Sequence, residues 1–278
     1  MKWFSFLLLP FSFLYGSVLA VRNLLFNLQI FKSYSIQKPA INVGNLSVGG
    51  TGKSPHVLYL ADLLKDEFNV ATLSRGYGRK TKGFFEVTEQ SLAEEVGDEP
   101  LMFKRRLKEN ALVLVDEKRA RAAEKLDADA QIHVVILDDA FQHRKVKAGF
   151  NILLTEYAKP YFKDFVLPAG RLREFKIGRK RAHCVIVTKC PDNFNESVKS
   201  EFVKKLAVEH SNVFFSKIDY GQLIPFGIEV ENPKSVLLVT GIAHPELLRK
   251  HLEKVYTCSE IRFPDHHNFT ANDIAEIH

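Results

Sequence analysis

The chain has 278 residues, enough for one large domain or two smaller ones, and its 46% hydrophobic and 26% charged residues are ordinary for a globular protein. Its three cysteines form no C-x-x-C pair, which argues against a disulfide framework or a zinc site and favours reduced thiols in the cytosol. The net charge of +6 suits phosphates, acidic lipid surfaces or nucleic acid, and does not by itself select among them.

The N-terminal segment 3–21 carries no charge. At about 1.5 Å per residue, a helix of this length nearly covers the ~30 Å hydrocarbon core of a bilayer. Three interpretations compete: a cleaved secretory signal, a retained membrane-spanning helix, or a helix that lies in the membrane interface, since Pro10 and Gly16 weaken a straight span. We favour a retained membrane element, because the nucleotide motif described below needs a compartment that contains nucleotide.

Basic residues flank this segment unequally. Arg22, Lys32 and Lys38 follow it, whereas only Lys2 precedes it. The positive-inside tendency then predicts a cytoplasmic location for the rest of the chain.

Beyond residue 38, short β-rich runs alternate with amphipathic stretches. Continuous Val/Ile/Leu runs are typical of strands that are buried on both faces. We expect strands at 40–43, 69–73, 111–115, 133–137, 151–154, 184–188 and 236–240, and helices at 53–65, 98–108, 117–126, 196–208 and 245–254. This alternation predicts an α/β fold with a doubly wound, mostly parallel sheet.

A stretch rich in Gly and Pro near 220–235 precedes a further strand–helix–strand pattern. The predicted organisation is therefore an N-terminal membrane-associated helix (1–30), a core (31–225) and a smaller C-terminal α/β lobe (226–278).

The segment V-G-N-L-S-V-G-G-T-G-K-S-P joins the first predicted strand of the core to its first helix. The glycines within 49–52 allow a tight path that presents backbone N–H groups to an anion, and the helix N-terminus adds further donors. Lys53 is placed to reach the β- and γ-phosphates, and the Ser54 hydroxyl to hold Mg²⁺. Ser47 stands where the P-loop pattern has its first glycine, a position that tolerates serine if φ is negative. The structural alternative is a glycine-rich turn with an incidental lysine.

The run H-V-V-I-L-D-D places Asp138 and Asp139 at the end of an apolar strand. Either carboxylate would ligate Mg²⁺ directly or through water, and the alternative is a strand that ends in a polar turn. Together with the glycine-rich loop, this acidic strand end predicts a sheet of P-loop NTPase type.

A series of motifs in this order resembles the tetraacyldisaccharide 4′-kinase (lipid A 4′-kinase) family over nearly the whole chain. The motifs are L-L-L-P-F-S-F-L-Y-G, the glycine-rich loop, L-S-R-G-Y-G-R (73–79), G-D-E-P (97–100), D-D-A-F-Q-H-R (138–144), L-P-A-G-R-L-R-E (167–174), V-T-K (187–189) and F-P-D-H-H-N-F (263–269). The family tolerates serine at the position of Ser47. Two features depart from its pattern: Arg171 replaces a common proline, and the sequence ends some tens of residues earlier than usual, so we expect the last part of the second lobe to be missing.

The resemblance implies transfer of the γ-phosphoryl group of ATP, with Mg²⁺, to the 4′-hydroxyl of a tetraacylated glucosamine disaccharide 1-phosphate, the lipid A precursor. The partners it implies are this lipid and the anionic inner-membrane surface, with no nucleic acid, and the expected state is a monomer. The residues it assigns to ATP are Asn45, Ser47, Val48, Gly49, Gly50, Thr51, Gly52, Lys53 and Ser54.

The resemblance also implies a catalytic acid–histidine pair, which acts together with Lys53. Asp98 would accept the proton of the sugar hydroxyl, and His266 or His267 would orient it, with His266 preferred. The structural alternatives are a helix N-cap at Asp98 and a polar turn at D-H-H.

Several basic and polar residues are candidates for binding the phosphorylated lipid or the bilayer surface, and the general alternative is a solvated basic face. These residues are Arg75, Tyr77, Arg79, Gln142, His143, Arg171 and Arg173.

Two other functions are weighed against the kinase. A membrane-tethered P-loop NTPase switch or assembly factor is suggested by V-T-K-C-P, which is faintly similar to the base-reading T-K-x-D loop of GTPases, although Cys190–Asp192 breaks that spacing. Nucleic-acid binding through the basic cluster at 171–181 is disfavoured, because no recognition motif accompanies the cluster.

Overall fold

The computed structural model describes residues 4–208, 212–224, 233–242, 245–264, 267 and 269–277. The chain divides into two compact units, Met1–Ile218 and Asp219–His278. The helices of the described residues are α1 (Phe4–Leu7), α2 (Leu9–Asn27), α3 (Lys53–Leu64), α4 (Ala93–Val96), α5 (Asp98–Leu107), α6 (Arg119–Ala128), α7 (Glu196–Leu206), α8 (Glu246–Leu252) and α9 (Ala271–Ile277).

The strands of the described residues are β1 (Tyr34–Ser35), β2 (Ala40–Asn45), β3 (Val70–Ser74), β4 (Phe85–Glu86), β5 (Ala111–Val115), β6 (Val134–Asp138), β7 (Val146–Lys147), β8 (Phe150–Glu156), β9 (Cys184–Thr188), β10 (Val213–Phe215), β11 (Ser235–Thr240) and β12 (Thr257–Arg262). Each strand and helix predicted from the sequence is present, with its ends shifted by a few residues. The additional strands are mostly too short for a periodic pattern, as β4 with its two residues illustrates.

The first unit contains an eight-stranded sheet in the order β10-β9-β8-β2-β6-β3-β5-β4. All neighbouring pairs are parallel except β4 and β5. The predicted mostly parallel sheet is confirmed.

Successive residues of the central strands enter different cores, because side chains alternate between the two faces of a strand. Ile136 of β6 packs in the cluster that contains Val57 of α3 and Phe103 of α5. Its neighbour Leu137 packs in the cluster that contains Leu126 of α6. Helices therefore cover both faces of the sheet, and this doubly wound arrangement places the loops after β2, β6, β8 and β9 at one edge, where ligands bind in such folds.

The second unit contains a parallel pair, β11 and β12, in register from Ser235↔Thr257 to Thr240↔Arg262. Helix α8 connects these two strands, and α9 follows them. The strand–helix–strand pattern predicted for this region is present.

Helix α2 is, among the described residues, the one helix that is long and apolar enough to cross a membrane. It contacts the rest of the first unit near both of its ends. The Ser12 hydroxyl accepts a hydrogen bond from the Ala169 N–H (2.8 Å), and the Asn23 amide donates to Glu174 (2.8 Å).

The other side of α2 is an exposed apolar stripe. Its residues follow the three- and four-residue spacing of one helix face, and they are Phe11, Leu14, Val18 and Val21, which are 62%, 65%, 62% and 57% exposed. The helix thus has one face on the protein body and one apolar face in solvent.

Candidate active site

The glycine-rich loop leaves the carboxyl end of β2 and enters α3 with the geometry of a phosphate-binding loop. Gly49 and Gly52 have φ angles of 107° and 86°, values that favour glycine over any residue with a Cβ. The φ angle of Ser47 is not positive. This meets the condition under which serine can replace the first glycine of the P-loop pattern. The Asn45 amide donates to the Thr51 hydroxyl (2.7 Å) inside the loop. Gly52 forms the N-cap of α3, so the following N–H groups lie at the positive end of the helix.

A second segment of the chain lies along this loop. Ser47 forms an antiparallel bridge with Leu172, the Val48 N–H donates to the Arg171 carbonyl (2.8 Å), and the Arg173 N–H donates to the Leu46 carbonyl (2.7 Å). This pairing brings the predicted substrate residues Arg171 and Arg173 beside the predicted ATP residues.

The two arginines differ in their side-chain contacts. The Arg171 guanidinium binds Asp164 (2.9 Å), a contact away from the acidic pair. The Arg173 guanidinium donates to both oxygens of Asp139 (2.8 Å each). Arg173 is therefore the one of the two that reaches the acidic strand end.

Asp139 stands at the centre of the charged groups. Its carboxylate lies 3.8 Å from the Lys53 ammonium, and its backbone has a φ of 46°, in the left-handed region. Burial alone would raise the pKa of Asp139, but Lys53 and Arg173 outweigh that effect and hold it below its usual value. Both oxygens are occupied by cationic side chains, so Asp139 fits a charge-balancing role more closely than that of a direct Mg²⁺ ligand, and its predicted contact with Mg²⁺ through water stays a prediction.

Asp138 has a different environment. Its side chain is buried, its Oδ2 accepts from the Ser74 hydroxyl (3.2 Å), and its Oδ1 has no hydrogen-bond partner within the described structure. Burial, followed by the nearby charges of Glu99 and Asp139, raises the pKa of Asp138 to about 7. A buried carboxylate with an unused oxygen is a suitable donor for a hard cation.

The start of α5 lies against the start of α3. The Ser54 hydroxyl donates to Glu99 Oε1 (2.7 Å), and Asp98, exposed on the surface of the first unit, is the first helical residue. Gly97, with a φ of 95°, occupies the N-cap position, so the N-cap alternative for Asp98 is wrong. The contact brings the proposed base into the neighbourhood of the phosphate loop.

Glu99 was not among the residues singled out from the sequence. The available signal was its position directly after Asp98 in G-D-E-P, but its contact with Ser54 depends on how two helices pack. Among the described residues no cluster of three or more His, Cys, Asp or Glu could hold a metal. The oxygen donors Ser54, Glu99 and Asp138 nevertheless match the preference of Mg²⁺ for hydroxyl and carboxylate ligands.

Arg119 is a second residue that the sequence did not reveal. It is buried, and its guanidinium donates to the backbone carbonyls of Asp138 (2.7 Å) and Asp139 (3.1 Å). It therefore holds the strand end that carries both acids. A buried arginine that binds carbonyls 19 and 20 positions away leaves no local pattern in the sequence.

His143 and Gln142 follow the acidic pair. Burial, followed by the charges of Arg119, Arg75, Arg22 and Lys145, lowers the pKa of His143 to about 4. The Gln142 amide donates to the Asn45 carbonyl (2.8 Å) and to Glu174 (3.0 Å). This loop is thus tied to the phosphate loop and surrounded by positive charge.

The predicted residues after β3 separate into two groups. Arg75 and Tyr77 are exposed, and Tyr77 is 83% accessible. Arg79 is turned inward, where it binds Glu117 (2.5 Å) and the Gly83 carbonyl (2.7 Å). The geometry therefore leaves the first two available to a ligand, whereas Arg79 stabilises its own loop.

The D-H-H motif belongs to the second unit. His266 lies outside the described residues. The His267 ring stacks on Phe263 with 4.8 Å between centroids, and its Nε2 lies 3.0 Å from Asp273 Oδ2. Asp273 also accepts the backbone and side-chain donors of Thr270. His267 is thus held within its own unit.

Known proteins are similar to this chain over nearly its whole length. The family model described as tetraacyldisaccharide-1-P 4′-kinase matches residues 4–278. A tetraacyldisaccharide 4′-kinase of Flavobacterium psychrophilum is 43% identical over 97% of this chain and 81% of that protein. One of Bacteroides fragilis is 43% identical over 99% of this chain and 76% of that protein.

The chain is also similar to a solved structure of LpxK from Aquifex aeolicus in complex with ATP. The TM-score is 0.76 at 34% sequence identity, and the match covers 96% of this chain and 85% of that one. The likeness therefore extends over both compact units.

Proposed function

Since the chain belongs to the tetraacyldisaccharide-1-P 4′-kinase family, we propose that it transfers the γ-phosphoryl group of ATP to the 4′-hydroxyl of a tetraacylated glucosamine disaccharide 1-phosphate in lipid A biosynthesis. The observation that carries the proposal is the Ser54–Glu99 hydrogen bond. It brings the helix turn that bears Asp98, the candidate base, against the helix turn that follows the phosphate loop.

The reaction asks the protein to position the reactants and neutralise charge more than to form covalent bonds. The loop 45–54 binds the phosphates through N–H groups, and the Lys53 ammonium offsets their charge. Asp139 and Arg173 hold Lys53 and the loop in place. Asp98 accepts the proton of the sugar hydroxyl, which is a poor nucleophile on its own; such general-base help contributes about 10²–10⁴-fold.

The family motif implies that a histidine of D-H-H, His266 or His267, orients Asp98, and this pairing stays a prediction. The contacts of His267 with Phe263 and Asp273 lie within its own unit, and His266 lies outside the described residues.

Mg²⁺ is the ion expected with ATP, and Ser54, Glu99 and Asp138 would hold it. When bound, it neutralises charge on the phosphate oxygens. The Asp138 carboxylate has an unused oxygen, which supports its place in this set.

The apolar stripe of α2 rests on an anionic bilayer, with the body on the cytoplasmic side of the inner membrane. The hydrogen bonds of Ser12 and Asn23 to the body support a helix that lies in the interface over one that leaves the body to span. Arg75, Tyr77, His143 and Arg173 line the positively charged side of the site that receives the phosphorylated sugar.

The test is 4′-phosphorylation of the disaccharide lipid by the purified full chain with Mg-ATP. Transfer that is abolished in Lys53→Ala supports the proposal, and Lys199→Ala, at an exposed ion pair on α7, is the control. A protein that binds ATP but does not phosphorylate the lipid would refute it.

A further inference from the structure

The V-T-K motif (187–189) at the end of β9 contacts the phosphate loop, and the proposed chemistry does not account for this contact. The Lys189 ammonium donates to the Gly50 carbonyl (2.7 Å) and pairs with Glu156 at the end of β8 (2.7 Å). The Thr188 hydroxyl donates to the Thr51 carbonyl (2.9 Å). Two consecutive residues of β9 and its loop thus hold two consecutive carbonyls of the phosphate loop.

The contacts differ in their exposure to solvent. Thr188 and Thr51 are buried, and the side chains of Lys189 and Glu156 are 19% and 15% exposed, whereas Gly50 is exposed. A charge-assisted hydrogen bond such as that of Lys189 is stronger than one between neutral groups. Lys189 also has a φ of 56°, an uncommon conformation for a residue with a Cβ. The backbone therefore adopts an unfavourable angle at the residue whose side chain reaches the loop.

The planarity of the peptide bond connects these carbonyls to phosphate binding. In a trans peptide, the C=O of one residue and the N–H of the next point in opposite directions. A Gly50 carbonyl held by Lys189 turns the Thr51 N–H away from β9, where it donates to the Gly49 carbonyl within the loop (3.0 Å). A Thr51 carbonyl held by Thr188 turns the Gly52 N–H away from β9 as well. A loop of glycines has little preference of its own for these orientations, so an external anchor reduces the ordering that the nucleotide would otherwise have to impose.

We propose that Lys189 is a positioning residue of the phosphate loop, which acts with Thr188 and Glu156 by fixing the peptides 50–51 and 51–52 for nucleotide binding. The inference rests on the proposed function only in taking ATP as the ligand of the loop. Lys189 acts through backbone carbonyls and does not contact the transferred group.

The experiment measures the Kd of Mg-ATP by titration calorimetry, together with KM for ATP and kcat with the lipid acceptor. Lys189→Met should raise Kd and KM about tenfold, as the loss of a hydrogen bond from a charged donor does, and should leave kcat at saturating ATP within about threefold. Lys189→Arg keeps a donor and should restore most of the affinity. Lys199→Met, at the exposed pair with Glu196, should change neither constant.

Thr188→Val tests the same idea without altering charge or volume, and it should raise the Kd in the same direction. It decides the question if Lys189→Met does not fold. An unchanged Kd in both variants overturns the proposal. A fall in kcat at unchanged Kd also overturns it, because Lys189 would then act on the reacting phosphate. ATP binding that depends on Lys189 in a protein without lipid kinase activity would leave this inference standing and refute the proposed function.

Discussion

At the scale of single residues, three acidic side chains of the site differ in their surroundings. Asp139 is balanced by Lys53 and Arg173, Asp138 is buried beside Glu99, and Asp98 is exposed at the first turn of α5. A carboxylate held between two cations is a weak proton acceptor, whereas a carboxylate at the protein surface can meet a substrate hydroxyl. The proposal of Asp98 as the base rests on its exposed position and on the family motif.

Asp98→Asn should therefore lower kcat by about 10²–10⁴-fold, because an amide cannot take up the proton. The Kd of ATP should stay within about twofold. Steady-state kinetics with the lipid acceptor and calorimetry with ATP measure the two quantities. Glu94→Gln serves as the control. Glu94 lies four residues before Asp98 and forms an exposed ion pair with Lys80. A near-normal kcat in Asp98→Asn would assign the base elsewhere.

At the scale of elements, Glu117 joins the loops that follow β3 and β5. Its carboxylate accepts from the Gly83 N–H (2.9 Å) and from Arg79 (2.5 Å). The backbone N–H groups of Gly83 and of Glu117 itself, followed by Arg79, lower the pKa of Glu117 to about 2. The pKa is depressed in the folded state, so this contribution to stability is fully present above pH about 4.5 and is lost as the pH falls towards 2.

Glu117→Gln should consequently lower the free energy of unfolding at pH 6. At pH 3 the free energies of unfolding of the variant and the unmodified chain should differ by less. Urea unfolding midpoints at the two pH values measure this. Glu89→Gln, at an exposed position, should change the unfolding midpoint by the same small amount at pH 6 and at pH 3. A gap that is constant with pH in Glu117→Gln would show that the ionised carboxylate contributes nothing there.

The packing of α2 against the rest of the first unit depends on a glycine, Gly16. Gly16 is buried, and a Cβ at this position would collide with the Phe175 ring. Gly16→Leu should displace the helix and lower the melting temperature by a few °C, since overpacking costs about 1–3 kcal/mol. Val18→Leu places the same side chain on the exposed stripe, where Val18 is 62% exposed, and should leave the melting temperature in detergent unchanged. Equal effects of the two substitutions would mean that α2 is not packed in this way.

At the scale of the whole molecule, local sequence signals predicted the central strands, the phosphate loop and the acidic strand end. Each of these depends on residues that are adjacent in the chain. Glu99, Arg119 and Lys189 escaped prediction because their partners lie 45, 20 and 139 positions away. Such contacts arise only after the parallel strands have aligned their carboxyl ends. The acid–histidine pair stays a prediction, and His266 lies outside the described residues.

A buried carboxylate connects α2 to the phosphate loop. Glu174 accepts hydrogen bonds from Asn23 on α2 (2.8 Å), from Gln142 (3.0 Å) and from Arg181 (2.6 Å), and Gln142 also donates to the Asn45 carbonyl (2.8 Å). All the groups that face Glu174 in these contacts are donors. The Glu174 carboxyl group accepts these donors at both of its oxygens. The helix expected at the membrane and the loop expected to bind ATP therefore share one anchor.

A double-mutant cycle tests this connection. Glu174→Gln places an amide N–H₂ among donors and leaves Arg181 without a counter-charge, so it should lower the free energy of unfolding by about 3 kcal/mol. Asn23→Leu alone should cost about 1–3 kcal/mol, because a hydrogen bond to a charged group is lost. In the Glu174→Gln background, Asn23→Leu should cost at least about 1 kcal/mol less than it does alone, since the bond is already broken. The control cycle combines Glu174→Gln with Asn69→Leu. The Asn69 amide donates to the Gln131 carbonyl in the loops that precede β3 and β6, so the effects of these two substitutions should be additive. Additivity in the Asn23 cycle as well, measured by urea unfolding in detergent, would mean that α2 and the phosphate loop do not share Glu174 as an anchor.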